Sequence, residues 1–178
     1  MLSVNGARLL ERINELGTIG KDEEGRRTRL AASDTEKQGR DKVVRWMEDA
    51  DLKVVVDRIG NIFGIWEIAE NKDKKPLMIG SHIDTVINAG QYDGCLGVIG
   101  AIEVIRTLKE AGRQSERPIV VCAFTNEEGV RYSPDMMGSL VYAGGLPIDQ
   151  VLKTVGTDGT ILGEELKRIG YAGSVEPG

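Results

Sequence analysis

The sequence predicts an α/β fold, a mixed β-sheet flanked by helices, and three features carry that prediction. Leu96, Ile99, Ile102, Ile105 and Leu108 recur at helical spacing between about Asp93 and Ala111. The run Ile119–Phe124, directly after Pro118, is apolar at every position, as a strand buried on both faces requires. A shorter apolar run, Pro76 to Gly80, precedes the helix, and strand, helix, strand in that order implies a βαβ unit.

The remaining elements follow from local signals. Val4, Leu9, Leu10, Ile13 and Leu16 mark an opening helix over residues 3 to 16, followed by a polar, Gly- and Arg-containing connection to about Ala32. Ser33 with Glu36 three residues on fits a capping box, and Val43, Trp46, Met47 and Ala50 give one face of a helix from about Thr35 to Ala50. Leu52 to Val56 and Asn61 to Ile68 read as a hairpin, with Pro76 to Gly80 as a central strand after it. Near the end, a short helix is expected around Gly138 to Ala143, and another from Asp158 as N-cap to about Ile169.

Composition bounds the function. The 178 residues suffice for one domain core, and a formal net charge of −5 disfavours a nucleic-acid surface. The longest strongly apolar stretch is far too short for a bilayer, and the start lacks a signal-peptide apolar region, so no membrane role and a cytoplasmic location are expected. Cys95 and Cys122 have no paired spacing and read as small buried hydrophobes.

Three clusters could carry chemistry. In Gly80-Ser81-His82-Ile83-Asp84-Thr85, residues i and i+2 of a strand face the same way, so Asp84 can hold the second nitrogen of a metal-binding His82. The bland alternative is a lone histidine at a strand end beside a solvated Asp. In Tyr92-Asp93-Gly94, Asp93 is either the N-cap of the long helix or a carboxylate that bridges two cations. Gly94, Gly97 and Gly100 would let that helix pack close to neighbouring backbone, and their spacing does not match a dinucleotide site. In Asn126-Glu127-Glu128-Gly129, the adjacent acids are either a solvated turn or a metal ligand beside a proton carrier. All three clusters fall at C-terminal strand ends or the helix start that follows, where open α/β sheets place their sites. A His-plus-carboxylate set suits zinc, manganese or cobalt better than calcium or copper(I).

The segments GSHIDTVINAGQYDGCLGVIGAIEVIRTLKEAG and VVCAFTNEEGVRYSPDMMGS resemble the hydantoinase/carbamoylase-type amidohydrolases of the peptidase M20 superfamily, and the resemblance runs over nearly the whole chain. It implies an M20-like catalytic domain that hydrolyses linear C–N bonds other than peptide bonds, in N-carbamoyl amino acids, allantoate or ureido compounds. By position it implies that His82 binds one metal, Asp93 bridges two, Glu128 binds the other, Glu127 is the general base and Asp84 supports His82. The cofactor expectation is two divalent ions, zinc, manganese or cobalt, with a small-molecule substrate.

The family completes its site with two further histidines, and this sequence has one His in all. Residues 1–178 are therefore read as the N-terminal part of the catalytic domain, incomplete at the C-terminal side. The inserted dimerisation domain, through which a full-length homodimer would form, is absent, and the isolated chain is expected not to be competent. The alternatives are an M20 aminopeptidase or deacylase, or a non-catalytic truncated product.

Overall fold

The structure is a computed structural model that describes residues 2–178. Four strands form one sheet: β1 (Lys53–Val56), β2 (Ile62–Trp66), β3 (Leu77–His82) and β4 (Ile119–Phe124), in the order β1-β2-β4-β3. β1 pairs antiparallel with β2 and β2 with β4, while β3 runs parallel to β4, so the sheet is mixed as the sequence predicts.

The helices are α1 (Gly6–Gly17), α2 (Asp34–Glu48), α3 (Cys95–Glu110), α4 (Met137–Tyr142), α5 (Ile148–Val151) and α6 (Leu162–Arg168). α1 starts where the Asn5 side chain accepts the Arg8 N–H. Ile13 and Leu16 of its apolar set are buried, but Val4 lies before the helix and Leu10 is exposed. α2 begins at Ser33, whose Oγ accepts the Glu36 N–H, as expected of a capping box. The return half differs, because the Glu36 carboxylate reaches the Ala32 N–H and pairs with Arg40, fully buried.

β4 is the strand around which the rest is built. Ile119, Val121 and Ala123 point into the main core with α2 and α3, while Val120 and Cys122 join Phe63 on the opposite face, where Tyr142 of α4 packs. Val98, Ile99, Ile102 and Ile105 of α3 are completely buried over that sheet, each contributing about 2 kcal/mol of hydrophobic stabilisation. Cys95 and Cys122 are free, buried thiols, as read from the sequence.

Two expectations are corrected. The run after Pro76 is not central: among the described residues β3 pairs only with β4, and β4 is inserted between it and the hairpin. The parallel crossover through α3 returns to the sheet beside the strand it left, and here β4 lands on the inner side, next to β2. Asp158 is not a helix N-cap; its carboxylate accepts from Thr160 N and Oγ1 and from Arg131, closing a turn, and α6 starts after Ile161. The short helix α5 carries too few periodic positions to read in advance. Among the described residues no helix is long and apolar enough to cross a membrane.

Candidate active site

Parallel pairing assembles the site. The register sets His82 opposite Phe124, so both strands end at the same edge of the sheet, and the chain after β4 turns at once into Asn126-Glu127-Glu128. α3 then begins beside His82. A Cβ placed on Gly94 would come within 2.5 Å of the imidazole Cε1, and one on Gly97 within 2.7 Å of Ser81 Cβ. The close approach expected of the glycine series holds at these two positions and not at Gly100, which faces open space.

His82 is almost fully buried, with Nε2 turned to the acids: 3.4 Å from Glu127 Oε2 and 3.9 Å from Asp93 Oδ1. Nδ1 lies 3.0 Å from the Asp84 backbone carbonyl and 3.8 Å from the Asp84 carboxylate. The partner that orients the ring is thus the carbonyl of Asp84 and not its side chain. With Nδ1–H donating there, Nε2 is left as the free lone pair. Asp93 does not cap α3: Gly94 occupies the N-cap with φ +62° and no side-chain cap bond is made.

The Asp84 carboxylate has a different task. Its two oxygens accept the backbone N–H groups of Glu127 and Glu128, each at 3.2 Å, and so bind the end of β4 to the end of β3. Burial, together with the negative charge of Glu36, pushes the Asp84 carboxyl up, against the opposing effect of His82 and the two N–H groups. Glu128 accepts from Val86 N at 3.3 Å. Its carboxyl is also raised, by burial and by the nearby Asp93 and Glu127 charges, with His82 opposing.

Asn126 was part of a recognised cluster, but its role was not legible. It sits at φ +52°, completely buried, with Nδ2 donating to the carbonyls of Tyr132 at 2.7 Å and Pro134 at 3.1 Å. An Asn directly before a Glu pair was the available signal, since Asn tolerates the left-handed region that a tight turn needs.

The donor types suit a divalent ion. Two donors each about 2.1 Å from a tetrahedral ion stand roughly 3.4 Å apart, close to the 3.9 Å between His82 Nε2 and Asp93 Oδ1. A cation there would also offset the burial of the Glu128 carboxylate and its repulsion by Asp93 and Glu127. Among the described residues, however, no three His, Cys, Asp or Glu side chains gather closely enough to enclose one ion. The set fits as part of a ligand sphere.

A buried imidazole thus faces carboxylates where β3 and β4 end, a place where α/β folds hold their sites, and comparison with known proteins gives the family. The model of peptidase family M28 matches residues 61–173, and the chain belongs to that family. It is 37% identical over 175 residues to an N-carbamoyl-L-amino-acid amidohydrolase of Rhizobium meliloti, a match that takes in 98% of this chain and 42% of that protein. It is 42% identical over 158 residues to a probable allantoate deiminase of Oryza sativa subsp. japonica, covering 88% of this chain and 32% of the relative. A solved hydantoinase/carbamoylase family amidase from Burkholderia ambifaria superposes with a TM-score of 0.97 at 39% identity, over all of this chain and 44% of that one. The branch that the sequence resembles is therefore the one its relatives occupy, although the matching family model carries the M28 description and not the M20 one. The chain spans less than half the length of these relatives.

Proposed function

We infer that this chain is the part of a metal-dependent amidohydrolase that carries His82, Asp93, Glu127 and Glu128, acting on linear C–N bonds other than peptide bonds. The substrate class is N-carbamoyl amino acids, allantoate or a related ureido compound. The observation that carries this reading is the orientation of His82: Nδ1 is held by the Asp84 carbonyl at 3.0 Å, while Nε2 faces Glu127 and Asp93.

His82, Asp93 and Glu128 would hold the divalent ions, two in the full-length protein and zinc, manganese or cobalt by donor type. When bound, such ions supply the Lewis acidity that favours attack of water on the carbamoyl or amide carbon. Glu127 accepts the proton of the attacking water on its carboxylate and delivers it to the leaving nitrogen. Asp84 keeps Glu127 and Glu128 in place through their backbone N–H groups. A cytoplasmic location and a homodimer formed through a domain outside these 178 residues belong to the same proposal, as does the placement of residues 1–178 in the N-terminal part of the catalytic domain.

Peptide or acyl-amide hydrolysis is the second reading, favoured by the peptidase description of the matching family. Both are tested by assaying the longest reading frame that contains this sequence, beside the 178-residue chain, with zinc, manganese and cobalt. Turnover of N-carbamoyl-L-amino acids or allantoate but not of leucine p-nitroanilide supports the first reading, and the reverse supports the second. Glu127→Gln is expected to abolish turnover while metal content is kept; an active, metal-replete variant would refute the assignment of the base.

A further inference from the structure

Arg29 is fully buried, and its guanidinium hydrogen bonds go to backbone carbonyls and a thiol, none to a carboxylate. A buried guanidinium without a counter-charge is costly unless its donors are satisfied, and here they are satisfied in an unusual pattern. Nε donates to the Ile83 carbonyl at 2.7 Å, and Nη2 to Cys95 Sγ at 3.2 Å. Nη1 donates to the carbonyls of Leu16 and Ile19 at 3.3 and 3.0 Å, at the C-terminal end of α1, where the helix dipole favours a cation. The backbone adds a reciprocal pair, Arg29 N to Thr85 Oγ1 at 2.8 Å and Thr85 N to Arg29 O at 2.9 Å.

Ile83 follows His82 directly, and Cys95 comes two residues after Asp93. One rigid planar group therefore grips both of the segments that bring the proposed metal donors together. We propose that Arg29 is a positioning residue of this site, setting the separation between His82 and Asp93 by bridging Ile83 O and Cys95 Sγ. The inference rests on the reading of His82 and Asp93 as metal donors. Lysine carries its three donors on one nitrogen at the end of a flexible stem, in place of a rigid planar fork, and so holds the two acceptors less firmly.

The single histidine makes the test direct. The imidazole ¹⁵N resonances of the 178-residue chain report the His82 tautomer, and their shift on titration with Zn²⁺ alone reports binding at Nε2. Wild type is expected to show the Nδ1–H tautomer and a saturable Nε2 shift. Arg29→Met is expected to raise the half-saturating zinc concentration about tenfold or more, as loss of an outer-shell partner does, and to mix the tautomers. Arg29→Lys, which keeps the charge and is the safer variant to fold, should show the same direction with a smaller change. Ile102→Ala, a cavity in the middle of α3, serves as the comparison: it should lose stability and leave zinc affinity and tautomer unchanged.

A folded Arg29→Lys or Arg29→Met chain with wild-type tautomer and zinc affinity overturns the proposal. If zinc affinity falls equally in Ile102→Ala, the effect is general loosening and the proposal is likewise overturned. If the wild-type ring does not respond to zinc, the donors of residues 1–178 do not hold the ion by themselves, and Arg29 is then decided by whether its variants alter the His82 tautomer while Ile102→Ala does not.

Discussion

Gly94 lies against the face of His82 so closely that a Cβ would stand 2.5 to 2.6 Å from three atoms of the ring, and its φ is +62°. The start of α3 and the buried histidine thus occupy space that only glycine leaves free. Gly94→Ala is expected to cost about 2 kcal/mol or more, combining left-handed strain with overpacking. Urea denaturation measures the loss, and a displaced His82 ring resonance in the folded variant is the accompanying sign; unchanged stability would contradict the packing described.

Asn126 gives a prediction that separates conformation from hydrogen bonding. Asn126→Gly accepts the φ of +52° but leaves the Tyr132 and Pro134 carbonyls without their donor, an expected loss of about 1 to 3 kcal/mol. Asn126→Ala should lose roughly 1 kcal/mol more, because it adds the left-handed penalty. Equal stability of the two variants, measured by chemical denaturation, would show that the backbone relaxes out of that region.

The buried pair of Glu36 and Arg40, 2.8 Å apart, lies behind the site, with Arg40 also donating to Gly60 O and Thr125 Oγ1 and stacking on Tyr171. Arg40→Met should destabilise by about 3 kcal/mol or more, since it strands a buried carboxylate. Glu36→Gln in the same chain should recover part of that loss. A double-mutant cycle reads the coupling, and simple additivity would mean that the two side chains do not sense each other.

Asp57 makes stability depend on pH. Burial pushes its carboxyl from the ordinary 3.8 up to about 6, despite hydrogen bonds from Asn61 and from the Ile59 N–H. The folded chain therefore holds a proton that the unfolded chain has already released. This contribution to stability is complete below about 3.8 and is lost as pH rises through about 6, with a total on the order of 2 to 3 kcal/mol. Asp84 moves in the same direction and adds its own share. Asp57→Asn should flatten the fall between those limits without removing it; an identical pH profile would place the dependence elsewhere.

The periodic apolar residues of α2 and α3, the hairpin and the all-apolar β4 were legible in order, because repeat and burial are written locally in residue type. The three acidic and histidine clusters were legible as well, each placed at a strand or helix end by the same local patterns. That Asp84 serves Glu127 and Glu128 through its carboxylate and His82 through its carbonyl was not, because side-chain spacing does not say which oxygen of a residue a neighbour will meet.

What the sequence by itself determined is the α/β alternation, the βαβ unit and the candidate donors, all properties of neighbouring residues. What only the tertiary structure decided is the strand order that makes β3 an edge partner of β4, and the burial of Arg29, Arg40 and Asn126. Arginine and asparagine are by default surface residues. Their burial is stabilised by acceptors that the fold delivers, Ile83 O and Cys95 Sγ to Arg29, Gly60 O and Thr125 Oγ1 to Arg40 beside its neighbour Glu36, and the Tyr132 and Pro134 carbonyls to Asn126, and residue type does not record which acceptors those will be.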